Sequence, residues 1–410
     1  MIEQLRTLIS EQDSIFHDRL SLHLSCLEEN ISQSKTVSFD NLSGDALNNI
    51  ISIWCLSDFV ADATSRFPLM LLDLINSGDL ATSYDDDSLK LRLTDMLNEV
   101  KSEDELMHQL RLFRRREMVR IIWRDMLRMS DLTETTRDMS LLAGESIDQA
   151  LSWIYSDCCE KWGTPYGRQS GAAQKLVVLG MGKLGAYELN VSSDIDLIFS
   201  YPENGDTVGN NKSIENQLFF IRLGQRLVNA LDKTTVDGFV FRTDMRLRPY
   251  GQSGALALSF AAMEEYYQGQ GREWERYAMI KARVIAGDVA EGERLLSIIR
   301  PFVYRKYTDF TSFQALRDMK RLIMSEVHRK GGAQNIKLGY GGIREIEFIA
   351  QACQLIYGGR EISLQQTGLM SVYELLKDHQ YLPVEWVDSL IESYTFLRNL
   401  EHAIQSLADK

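Results

Sequence analysis

Two short apolar runs between Lys175 and Tyr201 constrain this chain most, because each is too short and too rich in β-branched residues for a helix of ordinary length. Lys175–Leu179 (K-L-V-V-L) reads as a buried strand. Asp194–Tyr201 (D-I-D-L-I-F-S-Y) reads as a second strand, reached through a glycine-containing turn. Asn216–Leu231 then carries Phe219, Phe220, Leu223, Leu227 and Val228 at helical spacing, and Gly238–Leu247 reads as a third strand. The order strand, turn, strand, helix, strand marks a compact α/β region from about Ser140 to Gly287.

The flanks are patterned as helices. From Met1 to about Leu127 apolar residues recur as in Leu5, Leu8, Ile9 and in Leu89, Leu93, Leu97, and Gln169–Ala173 is a small polar linker. After Pro301 helical spacing returns over Phe313–Arg329, Gly342–Tyr357 and Val387–Leu407, where His328 and His402 read as ordinary helix residues. A chain of 410 residues exceeds one ordinary core. We therefore expect an α+β fold in three parts: helical residues 1–135, a catalytic region over 136–290, and helical residues 291–410. Phe396, Leu400, Ile404 and Leu407 keep their apolar spacing to the last residues, so a fragment of a longer protein is expected.

Composition narrows the function classes. A net charge of −13 argues against a surface that coats nucleic acid, which needs Lys and Arg against phosphates. Five cysteines (Cys26, Cys55, Cys158, Cys159, Cys353) show no metal spacing, and the vicinal pair reads as helix residues. Met1–Arg6 has no secretory character, and no apolar window approaches the ~18 residues of a membrane span. The expectation is a cytoplasmic protein with neither nucleic-acid nor membrane partners. The acidic tract Tyr84–Asp87 reads as a helix start. Arg111–Arg120 reads as a helix with a basic face, solvated and paired to neighbouring carboxylates, with a phosphate or acidic partner as the sharper alternative.

Chemistry concentrates at the second strand. Alternate strand residues share a side, so Asp194 and Asp196 project together at the head of an apolar run. Two adjacent carboxylates repel unless a cation compensates, and hard oxygen ligands suit Mg²⁺ or Mn²⁺; two solvated surface acids are the plain alternative. Upstream, Gly180-Met181-Gly182-Lys183-Leu184-Gly185 offers backbone N–H groups and a lysine to a phosphate. Its G-x-G-x-x-G spacing also fits a dinucleotide fold. That reading is disfavoured because little room remains for a crossover helix before two acids open the next strand. Alternation over Phe239–Arg248 puts Arg242, Asp244, Arg246 and Arg248 on one side, Asp244 to join the metals and the arginines to grip phosphates.

Gly182, Ser193, Asp194, Asp196 and Asp244 together resemble the nucleotidyltransferase superfamily of DNA polymerase beta-like enzymes, although Lys183 stands where many members place serine. More specifically, G-M-G-K-L-G-A-Y-E-L-N-V-S-S-D-I-D-L-I-F, R-T-D-M-R-L-R-P-Y-G-Q-S-G and G-G-I-R-E-I-E-F resemble the glutamine synthetase adenylyltransferase family. The resemblance is strong from about Leu110 onward and weak before it. It implies a polymerase beta-like domain with a small mixed sheet, and Mg²⁺ or Mn²⁺ on Asp194, Asp196 and Asp244. It also implies nucleotide or phosphate contacts from Gly182, Lys183, Ser193, Arg246 and Arg248, joined by Arg344, Glu345 and Glu347 from a later helix. That family pairs two related halves, one attaching AMP to a glutamine synthetase tyrosine and one removing it with inorganic phosphate to give ADP. The motifs here resemble the N-terminal, removing half. The implied partners are adenylylated glutamine synthetase, phosphate and ADP, with a PII signalling protein and glutamine as regulators. AMP transfer from ATP and a catalytically silent module binding a PII-like protein are the competing readings.

Overall fold

The computed structural model describes residues 1–33, 42–209, 212–306, 314, 317–318, 320–321 and 335–407. The helix expected over Phe313–Arg329, with His328, falls outside that set but for isolated positions. Eight helices come first: α1 (Ile2–Ser10), α2 (Ser14–Gln33), α3 (Gly44–Leu56), α4 (Asp58–Arg66), α5 (Pro68–Asn76), α6 (Ser88–Leu97), α7 (Glu103–Met126) and α8 (Leu132–Trp162). Their ends follow local chemistry. Ser102 and Asp131 accept the Glu105 and Glu134 amides that open α7 and α8, and Gly163, at φ +83°, lets the chain leave α8. No described helix is long and apolar enough to cross a membrane, and the five cysteines are free.

The arginines of α7 are not a solvated face. Arg111, Arg114, Arg116 and Arg120 are all buried. Arg116 meets Asp73, Asp79 and Glu117, and Arg120 lies between Glu117 and Asp138 over the Tyr84 ring. Arg111 instead donates to the Ala230, Lys233 and Gly238 carbonyls, tying α7 to the end of a later helix. Charge counting along the sequence located the carboxylates correctly in kind, but not their burial.

The sheet forms from β1 (Thr164–Gly167), β2 (Val177–Gly180), β3 (Ile195–Tyr201), β4 (Gly205–Val208), β5 (Thr243–Asp244), β6 (Ala257–Ser259) and β7 (Arg283–Gly287). Four-residue α9 (Gly182–Gly185) bridges β2 and β3, and α10 (Asn216–Asp232) precedes β5. β1 and β4 make a separate antiparallel pair. In the main sheet β3 is central: antiparallel to β2 on one side, parallel to β5 and then β6 on the other. β7 extends the sheet beyond β2. The third strand expected over Gly238–Leu247 shrinks to two ladder residues. Pro249 brings no amide, and the chain from Met245 turns into a loop that Arg248 holds.

One face of the sheet shares its core with α7, α8 and α10, and the other packs on α11 (Phe260–Gly269), α12 (Glu273–Met279) and α13 (Val289–Val303). A third core joins α14 (Ile343–Tyr357), α15 (Leu369–Asp378) and α16 (Val384–Leu407). The fold is α+β. Replacing Arg120 by Met should destabilise the protein by about 3–5 kcal/mol in denaturant titration, because Glu117 and Asp138 would keep buried charge with one guanidinium fewer; a change under about 1 kcal/mol would mean that water reaches them.

Candidate functional site

Parallel pairing of β3 with β5 sets Ile195 beside Thr243 and Asp196 beside Asp244, so two carboxylates from distant sequence become neighbours. Asp194 stands two residues before Asp196, at the mouth of β3, with its side chain 58% exposed. Asp196 is half-buried, and its carboxyl is pushed up to about 6 by burial and by the nearby Asp244 and Asp194 charges. The outer two acids hold arginines. Arg242 Nε donates to Asp194 at 2.8 Å. Arg246 donates to Asp244 Oδ2 from Nε at 2.8 Å and from Nη2 at 2.5 Å and reaches Oδ1 from Nε at 3.0 Å, and its amide donates to Oδ1 at 2.8 Å. These bonds hold the Asp244 carboxyl below its usual range.

Gly182, at φ +55°, presses the turn against this group: a Cβ there would come 3.4 Å from Asp196 Oδ2. The Met181 amide donates to the Asp196 carbonyl at 2.9 Å, and Arg283 of β7 donates to the Leu184 and Gly185 carbonyls at 3.0 Å each. The glycine turn therefore lies against Asp196. Ser193, half-buried, joins the turn to Asp194.

Other expected contacts point elsewhere. Lys183 Nζ lies 3.2 Å from Glu401 of α16, and burial, with Arg398 nearby, lowers its ammonium to about 8. Arg248 donates to the Met245, Gln252 and Gly254 carbonyls and so shapes its own loop. In α14, Glu345 accepts the Gly341 amide, while Arg344 sits in the first turn. Burial opposes ionisation of Glu347, yet Lys281, Lys183 and Arg398 keep its carboxyl below the usual range; Lys281 Nζ is 3.8 Å away. Trp274 is exposed, and Tyr277 packs near Phe348 with ring centroids 5.8 Å apart. A cavity of about 650 Å³ lined by Arg137, Glu145, Tyr187, Glu188, Leu369 and Arg398 contains none of the three acids.

Among the described residues no three His, Cys, Asp or Glu side chains converge to hold a metal as they stand. The donor set still suits a hard divalent cation. Two carboxylates, Asp194 and Asp244, lie close enough to Asp196 to raise its proton affinity, and both satisfy their charge with arginines that are 43% and 70% exposed and can swing into solvent. Sequence reading missed the residues that frame this group: Glu188, Asn190, Lys281, Arg398, Glu401 and Gln405. Their only sequence signal is polarity at apolar-face positions of α16, at 398, 401 and 405.

A family profile described as Glutamate-ammonia ligase adenylyltransferase matches residues 47–298, more than half the chain, and one described as GlnD PII-uridylyltransferase matches residues 317–410. The chain is 60% identical over 86% of its length to a bifunctional glutamine synthetase adenylyltransferase/adenylyl-removing enzyme of Pseudomonas syringae pv. tomato, covering 36% of that protein. Relatives of the same description from Pseudomonas aeruginosa and Nitrosococcus oceani are 57% and 48% identical over 89% and 98% of the chain, which covers 37% and 41% of them. The chain thus spans well under half the length of these relatives.

Without divalent cation, Asp196→Asn should raise the melting temperature at pH 7.5. A carboxyl whose native pKa lies above its unfolded one opposes folding where it is ionised, so the gain should fade as pH drops through about 6 towards the ordinary Asp value of 3.8. The two pKa units bound it at about 3 kcal/mol. A gain equal at pH 4 and pH 7.5 would exclude this origin.

Proposed function

The chain belongs to the glutamate-ammonia ligase adenylyltransferase family, and from that premise we propose that it removes AMP from an adenylylated tyrosine of glutamine synthetase, using inorganic phosphate and releasing ADP. The observation that carries the reading is the register Asp196 to Asp244 with Asp194 at the strand mouth. It sets two acids side by side with a third at the strand mouth, next to a glycine turn, which suits metal-supported phosphoryl transfer.

In this reaction a phosphate oxygen bonds to the adenylyl phosphorus as the bond from phosphorus to the tyrosine oxygen breaks. The phenolate leaves and takes a proton from solvent. With a free pKa near about 10 it departs readily, so no protein acid has to drive the step. Asp194, Asp196 and Asp244 would hold Mg²⁺ or Mn²⁺, which supplies charge neutralisation at the attacked phosphoryl group. When the acids turn inward, Arg242 and Arg246 are released and their guanidinium groups become available to phosphate oxygens. Gly182 keeps the turn free of a side chain that would crowd the substrate next to Asp196. The direction of transfer rests on the likeness of G-M-G-K-L-G and N-V-S-S-D-I-D to the removing half of the family. The relatives' names carry both activities, so AMP transfer from ATP is the competing direction.

Incubation with adenylylated glutamine synthetase, Mg²⁺ and phosphate should release ADP, while ATP and unmodified glutamine synthetase should yield no adenylylated protein. Label transfer from ATP without ADP release in the first arm would reverse the direction. Asp194→Asn and Asp196→Asn should each lower turnover by about 100-fold or more with the fold intact; full activity in both would end the metal-site reading.

A further inference from the structure

The segment between α9 and β3 has no ladder of its own from Ala186 to Asp194. Buried backbone groups must find partners somewhere. The Glu188 carbonyl accepts from Arg398 Nη2 at 2.7 Å, the Leu189 amide donates to Ser140 Oγ at 3.1 Å, and the Ser192 amide donates to Gln405 Oε1 at 3.1 Å. Regular pairing resumes at Ile195, whose amide donates to the Arg242 carbonyl at 2.9 Å. Two of these three long-range ties come from α16, more than 200 residues downstream.

Arg398 is built for this place. It is 1% exposed, bonds the Asn190 side chain and the Tyr394 hydroxyl at 2.5 Å each, and has Glu401 3.7 Å from Nε. Its guanidinium cannot move without stranding several buried partners. Gln405 lies two helical turns further on and grips the segment just two residues before Asp194. Beyond α16's inner face, His402 meets Asp125 of α7 at 3.2 Å and the Ser57 hydroxyl donates to the Ser406 carbonyl at 2.5 Å, so the helix is itself anchored.

We propose that α16 is the positioning element of the metal-binding acids: Arg398 and Gln405 fix the height of residues 188–192, and through them Asp194 and Asp196, against Asp244 on β5. Neither residue touches substrate. Both act by holding the ligands in place before the cation arrives, and this inference rests on the metal role given to the acids above. Supporting groups of this kind typically change metal affinity about 10- to 100-fold.

The test is direct Mn²⁺ binding to the full 410-residue chain, followed by electron paramagnetic resonance, with melting temperature recorded in parallel. Gln405→Met keeps length and removes the acceptor; it should weaken Mn²⁺ binding about 10-fold and speed hydrogen exchange over residues 186–193, with little change in melting temperature. Arg398→Met should weaken binding further, Arg398→Lys should recover part of it, and Ile404→Ala on the exposed face of α16 should match the parent. The proposal is overturned if Gln405→Met binds Mn²⁺ within about twofold of the parent while Asp196→Asn has lost it. If Asp196→Asn also binds like the parent, the metal reading falls and the proposal falls with it.

Discussion

The architecture turns on a buried ionic cluster where three distant parts of the chain meet. Lys281, next to β7, places its ammonium 2.7 Å from Glu188 and 3.8 Å from Glu347, and Lys183 reaches Glu401 at 3.2 Å. Glu188 also accepts the Leu369 amide that starts α15, at 2.6 Å. Each of these charges loses several kcal/mol of hydration on burial, and only a complete set of partners offsets it. Such a cluster contributes little net stability. It penalises every arrangement in which the glycine turn, the sheet edge and the C-terminal helices are not in register.

The acids at the start of β3 and on β5 obey the opposite logic. Their charges are left in excess, and the strand register forces Asp196 and Asp244 together whether or not a cation is present. The two respond differently: Asp244 is held ionised by Arg246, whereas Asp196, deeper and flanked by like charge, clings to its proton. A site with one committed and one reluctant carboxylate is a site whose charge state depends on what binds there.

Much of this was legible in the sequence where a local rule applied. A short apolar run after a glycine turn found β3 to within one residue, and period 3.6 found α10, α14 and α16. Local rules failed where long-range contacts decide. The alternation assigned to Phe239–Arg248 predicts Arg248 beside the acids, but the ladder stops after Asp244, so Arg248 turns back on its own loop. Lys183 has the right spacing for a phosphate ligand, yet its partner Glu401 lies 218 positions away and no periodicity announces it. His402, an ordinary helix residue by pattern, is fully buried against Asp125. The α7 arginines show the same limit, since a helix that is charged on one face looks alike whether that face meets water or a ring of buried carboxylates.

The grip of α16 on residues 188–192 changes what counts as a separable piece of this protein. Asp194, Asp196, Asp244 and, among the described residues, every strand of the main sheet lie before residue 288, and a boundary drawn there looks natural by secondary structure. A polypeptide ended at that boundary would keep Asp194, Asp196 and Asp244 and lose Arg398, Glu401 and Gln405, leaving the Glu188 carbonyl and the Ser192 amide without the partners they have here. A fragment that keeps these contacts therefore reaches at least to Gln405. Recombination or grafting that respects the sheet alone would carry the three acids without the α16 contacts that hold residues 188–192.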